Sequence, residues 1–516
     1  MSTHHPPPPY TPDQLQSLYP SNLDLQLVQV LLRHGERTPV NARFANTGLG
    51  AFWPYCNSMK QLRSAVLNSD NTFGSLEWKR RLETFGEKDD GPVVAAGPGG
   101  ELDAVCDMGM LTDLGRQTTL NLGQRLRHLY VEQLQFLPPT IDNADSLYLR
   151  ATPIPRALDS LQQTFQGLYP PSTRAPDFPP PTILSRTPGD ETLFPNDGNC
   201  RRLAILARAF AQRTAERWND SDDLKYVTKK IGKHMPDEDA PVAVDGRPRL
   251  SGVMDTINAT DAHGPATKLP REFYDERVRA IIDKIGVEEW YSGYRESREY
   301  RTLGIGGLLG DVVARMVGSA ERTAADGAYE VLKQGQSAPI RFGMSGCHDT
   351  TLAGALTSLG AFENEKWPPF TSHIAIELFK QKSSQGGADA TTPSAAVAAP
   401  VVDAKSWLSR VWGGAGDSGR AGIPPAGIGR RTVHELSEEE KKTLQGYFVR
   451  VRYNDRPMTI PGCRTPGNHL EGDESFCTLE AFKSIVDKFT PKDWKSECRA
   501  NKDAPVFPTK PEPAGH

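Results

Sequence analysis

The sequence lacks an excess of either charge: 60 Lys plus Arg stand against 64 Asp plus Glu, a formal net charge of −4. That balance removes the electrostatic case for a nucleic-acid partner. A long apolar run is also missing. The most weakly polar stretch, residues 303–309, is Gly-rich and stops at Asp311, well short of the roughly 20 residues that a membrane span needs, so no transmembrane segment is expected. Cysteine is scarce, with seven residues (Cys56, Cys106, Cys200, Cys347, Cys463, Cys477 and Cys498) at wide spacings. No C-x-x-C pair suggests zinc or thioredoxin-like chemistry, and the odd count settles neither a pairing nor a redox compartment. The first 22 residues hold no Lys or Arg and include a proline run from Pro6 to Pro9. They match neither a secretory signal, with its basic and then apolar regions, nor an Arg-rich transit peptide. The default expectation is a cytoplasmic protein, secretion requiring a different start. Hydrophobic residues make up only 37%, below the ordinary globular share, so polar tails or inserts must dilute a normal core.

What is present is a core interrupted by such segments. The 516 residues allow two to four units of roughly 100–200 residues. Residues 23–32 are apolar and too few for a typical helix, which predicts a buried strand ending at Arg33. Thr112 can cap a helix whose Leu114, Thr118, Leu122, Leu126 and Leu129 keep helical spacing. A strand is predicted over 146–149, ending at Arg150, and a helix through Leu158, Leu161, Phe165 and Leu168. Ile340, Phe342 and Met344 alternate in a third strand that ends at 345–349, before a helix over 350–359; further strands are predicted at 374–378 and 447–453. The division is a flexible tail (1–22), α/β core (23–193), mainly helical cap (194–335), core (336–380), disordered low-complexity insert (381–431), core (432–500) and flexible tail (501–516). Phe44, Phe52, Trp53 and Tyr55 could line an apolar groove, but simple packing is the favoured reading.

Three predicted strands end in chemically loaded residues: Arg33, His34 and Arg37; Arg150; His348 and Asp349. In an open α/β sheet, ligands bind beyond the carboxyl ends of the strands. Three arginines converging there read as a phosphate site, because the planar guanidinium matches phosphate oxygens and stays charged. The helix predicted after His348 would add free backbone N–H groups. Phosphate binding alone needs no histidine beside Arg33 and no carboxylate beside His348. A neutral imidazole can attack phosphorus, so His34 is the candidate nucleophile, and Asp349 is placed to protonate a leaving alkoxide and then to activate water. That acid role favours low pH. Arg33, His34, Gly35, Arg37 and Pro39 spell R-H-G-x-R-x-P, which average residue usage would produce in such a chain with odds on the order of one in ten thousand. Arg150 alone reads more simply as a surface or ion-pair residue and gains weight only from its company. The remaining histidines show no metal spacing.

These residues carry a resemblance. Arg33 to Pro39 resembles the signature of the histidine acid phosphatases, a branch of the phosphoglycerate-mutase-like superfamily. Arg150-Ala151-Thr152 with Arg156 resembles that family's R-S-T-x-x-x-R segment, and residues 345–351 resemble its S-x-H-D-T-T segment with one residue, Gly346 or Cys347, inserted. Within the family, residues 109–138, 366–378 and the 463–498 tail are similar to the mitochondrial lysophosphatidic acid phosphatases. The resemblance implies a three-layer α/β/α core with an inserted helical cap and no metal or organic cofactor. It implies His34 as nucleophile, Asp349 as proton donor, and Arg33, Arg37, Arg150 and His348 as phosphate ligands. The implied substrate is a small phosphate monoester, with a lysophospholipid as the first guess. A phytase-like or sugar-phosphate phosphatase, a mutase that retains its phosphohistidine, and a silent phosphate-binding protein are the alternatives.

Overall fold

A computed structural model describes residues 2–86, 88–237, 240–321, 340–382 and 427–516. Helix α1 (Pro12–Leu18) and strand β1 (Leu23–Arg33) precede two hairpins, β2 (Leu62–Leu67) with β3 (Phe73–Trp78) and β4 (Glu83–Phe85) with β5 (Pro92–Val94). Next come α2 (Asp113–Arg127), β6 (Leu147–Ala151) and α3 (Pro155–Leu168). The helical stretch holds α4 (Arg201–Trp218), α5 (Asp222–Ile231), α6 (Leu250–Ala262), α7 (Glu276–Glu296), α8 (Arg298–Arg301) and α9 (Gly307–Glu321). The chain returns through β7 (Phe342–Cys347), α10 (Asp349–Ser358), β8 (His373–Gln381), β9 (Tyr447–Tyr453), β10 (Arg456–Met458), β11 (His469–Leu470) and β12 (Asp473–Thr478).

One sheet runs β11-β12-β9-β8-β1-β7-β6, with β10 added to β9; β1, β7 and β6 are parallel and the rest antiparallel. Strand alternation sends β1 side chains to opposite faces. Val28, Val30 and Leu32 pack with Leu122, Leu126, Leu161 and Phe165 of α2 and α3. Leu27 and Leu31 pack with Leu308 and Val312 of α9 and Leu352 and Leu356 of α10. These are the three layers expected. A second core joins α5, α6 and α7, and it buries Phe44 and Trp53, so these aromatics are packing residues.

Several boundaries differ from expectation. The helical stretch is not all cap, because α9 covers the sheet. The joined run Arg298–Glu321 is long and apolar enough to cross a membrane by length and composition, yet 83% of its apolar window is buried inside the protein. Residues 383–426, most of the expected insert, and the expected cap end at 335 lie outside the described residues. Both tails are docked rather than loose. Ser2 Oγ donates to Asp261 at 2.8 Å and Thr3 pairs with Phe370; Glu512 N–H donates to the Glu296 carbonyl at 2.8 Å and Phe507 packs on Phe210. A tail with few large apolar residues looks loose in sequence, but it satisfies its backbone against surfaces that sequence reading does not show. Cysteine pairing, open in the sequence, is Cys56–Cys106, Cys200–Cys498 and Cys463–Cys477, with Cys347 buried and free.

The sheet carries one buried anion. Glu377 on β8 accepts from Tyr19, Tyr130, Arg450 and Arg452, all within 3.2 Å. Burial opposes its charge, but Arg450 and Arg452 overrule it and hold the carboxyl down at about 2. Because the ordinary value is 4.5, its stabilisation is complete above that pH and is lost as pH falls toward 2. Glu377→Gln leaves buried Arg450 without its counter-charge and Arg452 with only Asp455 at 3.5 Å, and is expected to lower unfolding free energy by about 3–5 kcal/mol in denaturant titration at neutral pH; a loss below about 1 kcal/mol contradicts this.

Candidate active site

The site forms where β1 and β7 end side by side. Their parallel register is unbroken from Val28↔Phe342 to Arg33↔Cys347, and His34 N–H donates to the Cys347 carbonyl at 3.1 Å. The extra residue before His348 is therefore absorbed as one more strand position. Gly35 is required by close approach, since a Cβ there would lie 2.3 Å from the Gly115 carbonyl oxygen on α2. The Gly35 N–H donates to Ser160 Oγ on α3 at 3.1 Å. Helices α2 and α3 thus clamp the turn that carries His34.

His34 is buried, and its Nδ1 lies 2.9 Å from the Gly35 carbonyl. A carbonyl only accepts, so Nδ1 carries the hydrogen and Nε2 keeps a lone pair. Burial first, then Arg156, Arg33 and Arg37, hold His34 well below the usual imidazole range. Its neutral form is favoured. His348 caps α10, sits 5.5 Å from His34 between ring centroids, and shares a 3.1 Å hydrogen bond between Nε2 and Thr152 Oγ1. Burial and then Arg156 lower its pKa as well.

Arg33 Nη2 pairs with Asp349 Oδ2 at 2.7 Å, its Nη1 donates to the Pro368 carbonyl, and its guanidinium lies 4.2 Å from the Phe370 ring centroid. Arg37 Nη1 pairs with Asp255 Oδ1 of α6 at 2.7 Å. Asp349 also accepts from the Thr350 N–H at 2.8 Å on Oδ1 and from Trp367 Nε1 at 3.1 Å on Oδ2. Burial pushes this carboxyl up, but Arg33 and Arg37 prevail and leave it below its ordinary value.

Arg150 does not join this cluster. Strand β6 continues to Ala151, so Arg150 lies inside the strand, paired in register with Ser345, and shares a face with Tyr148. Its Nη2 bonds Glu191 at 2.5 Å and Thr192 at 3.1 Å, and its Nη1 is 3.8 Å from Asp311 on α9. The third arginine is Arg156, in the first turn of α3, whose field acts on His34, His348 and, reciprocally, Arg37 and Arg33. Burial, then Arg37, lower its pKa to about 10, so it remains charged in acid. The signal was the second arginine of the 150–156 segment, six positions beyond the first. Asp255, which holds Arg37, and Trp367 gave no signal of their own.

Among the described residues, the buried Nε atoms of Arg33, Arg37 and Arg156 have no hydrogen-bond partner. Buried donors without partners are costly, and three of them around a neutral imidazole suit a tetrahedral oxyanion. Arg150 has unpartnered nitrogens too, but its guanidinium is paired with Glu191. Arg156→Ala is expected to weaken inorganic phosphate binding by about 100-fold in calorimetric titration, whereas Arg150→Met destabilises the fold without changing phosphate affinity. The reverse pattern contradicts the assignment.

Comparison with known proteins matches residues 24–391 to the histidine phosphatase superfamily (branch 2). A probable acid phosphatase of Schizosaccharomyces pombe is 34% identical over 495 residues, covering 95% of this chain and 97% of that protein. Lysophosphatidic acid phosphatase type 6 of Bos taurus is 26% identical over 375 residues, 72% of this chain and 78% of that protein. The apo form of Hafnia alvei phytase shares the fold, with a TM-score of 0.51 at 12% identity over 93% of this chain and 99% of that one. With a family match over most of its length and a near full-length relative, the chain belongs to the histidine phosphatase superfamily, branch 2.

Proposed function

We propose that this chain is an acid phosphatase that hydrolyses phosphate monoesters through a phosphohistidine at His34. One observation carries the reading: His34 Nε2 holds a free lone pair amid arginines whose buried N–H groups lack partners, with Asp349 alongside. Arg33, Arg37, Arg156 and His348 hold the phosphoryl oxygens, where charge must be stabilised. The His34 Nε2 lone pair forms a bond to phosphorus while the ester P–O bond breaks, and the departing alkoxide takes the Asp349 proton to leave as an alcohol. Asp349, now a carboxylate, takes a proton from water as the water oxygen attacks phosphorus. The P–Nε2 bond breaks, its electron pair returns to the imidazole, and inorganic phosphate leaves.

The acid step needs a proton that Arg33 and Arg37 discourage. Phosphate charge offsets those arginines, so the carboxyl regains proton affinity when substrate binds. His34 needs no such help, because burial and then the arginines already favour its neutral form. Turnover of alkyl phosphates therefore rises toward acid pH.

For substrate, a lysophosphatidic acid-type lipid is the preferred reading. The bovine relative is named for that substrate. The leaving group must lie beside Asp349, whose partner Trp367 forms one wall of a cavity of about 1310 Å³ along α7. Met254, Ile257, Val287 and Phe362 give that cavity an apolar strip for an acyl chain, within a lining that is otherwise largely charged and includes Arg213, Arg279, Glu288 and Glu365. Three disulfides support an oxidising compartment rather than the cytoplasm expected by default.

Phosphate release from a lysophosphatidic acid, phytate and an alkyl phosphate at about pH 5 and about pH 7 tests this. Turnover is expected to be faster at the lower pH, with the lipid preferred. His34→Ala should abolish release, and Asp349→Asn should cost about 10²–10⁴-fold on alkyl esters. Wild-type turnover in His34→Ala refutes the mechanism; preference for phytate refutes the lipid assignment.

A further inference from the structure

Asp349 must deliver its proton from one defined oxygen, and the structure shows what can select it. A carboxylate has about four acceptor positions. Oδ2 already receives two donors, Arg33 Nη2 at 2.7 Å and Trp367 Nε1 at 3.1 Å, whereas Oδ1 receives only the Thr350 N–H at 2.8 Å. One position remains, on Oδ1. With Arg33 and Trp367 both on Oδ2, the two acceptor positions of that oxygen are taken. The indole N–H donates and never accepts, so a proton on Oδ2 would face another donor. It is directed to Oδ1.

Trp367 itself is held by the cap. Its backbone N–H donates to Asp283 Oδ1 of α7 at 3.0 Å, and its ring packs on Tyr291 at 5.1 Å and Trp290 at 6.0 Å between centroids. The groups whose charge acts on Asp349 are Arg33 and Arg37 after β1, Arg156 of α3, His348 beside it and Tyr291 of α7. None of these is a donor on Oδ2 except Arg33. We propose that Trp367 is a positioning residue for Asp349, fixing the acid proton on Oδ1 and so governing proton transfer to the leaving group. This rests on the phosphohistidine reading above. It makes α7 and the loop before β8 part of the chemistry, although neither carries a residue that touches phosphate.

The readout is leaving-group dependence. 4-Nitrophenolate departs without a proton, whereas the alkoxide of glycerol 3-phosphate needs one. In the full-length protein, Trp367→Phe is expected to lower kcat for glycerol 3-phosphate by about 10- to 100-fold, with KM little changed. It should leave kcat for 4-nitrophenyl phosphate nearly intact, which also shows that the variant is folded. Trp367→His, which can restore a ring N–H, should recover part of the alkyl turnover. Equal losses on both substrates in both variants, or full alkyl turnover in Trp367→Phe, overturns the proposal. Wild-type protein that releases phosphate from neither substrate overturns the phosphatase reading, and the proposal with it.

Discussion

Positive charge gathered out of water is the constraint on which the rest of this structure depends. Arg33, Arg37 and Arg156 crowd a buried pocket, and their mutual repulsion is met only in part by Asp349 and Asp255. A cluster of this kind perturbs the titratable groups within reach. Burial and then the arginines favour the neutral form of His34, which suits a nucleophile, and the arginines favour the ionised form of Asp349, which does not suit an acid. A phosphate ester offsets the arginines and so raises the proton affinity of the carboxylate, while burial, the largest influence on His34, still favours its neutral form. Substrate charge thus arms the acid, and low pH assists it.

Such a cluster needs a rigid frame. Unbroken parallel register brings Arg33 to the level of Cys347, so His34 and His348 emerge side by side. Glycine against glycine, Gly35 on Gly115, lets α2 seal one side of the turn, and Ser160 of α3 bonds the other. The cap closes the site with charge as well as bulk, through Asp255 on Arg37 and the α7-held Trp367 on Asp349. Behind the sheet, Glu377 with Arg450 and Arg452 forms a second buried ionic centre that ties β8 to β9.

Much of this was legible in the sequence because the core strands are short, apolar and end in charged residues. β1, β7, β8 and β9 fall where alternation and apolar runs placed them, and His34, Arg33, Arg37, His348 and Asp349 do converge. Arg150 misled because a strand boundary two residues too early put it at a strand end. One extra pair in register buries it against Glu191, and the neighbouring helix supplies Arg156 instead. Asp255 lies far from the motifs in sequence, Trp367 lies in the similar 366–378 segment with nothing to mark its role, and both become partners only through tertiary packing. The hairpins over Leu62–Leu67 to Pro92–Val94 and the docked tails were missed because their stability comes from turns, a disulfide and backbone pairing, which leave little periodic signal.

The central claim is that phosphorus becomes bonded to His34 during turnover. Rapid acid-free quenching of the wild-type protein with a radiolabelled alkyl phosphate, followed by peptide mapping, tests it directly. The account predicts stoichiometric label on the peptide containing His34, stable in base, lost in acid and discharged by chase with unlabelled substrate. Turnover without any labelled protein, or label on a different residue, contradicts it.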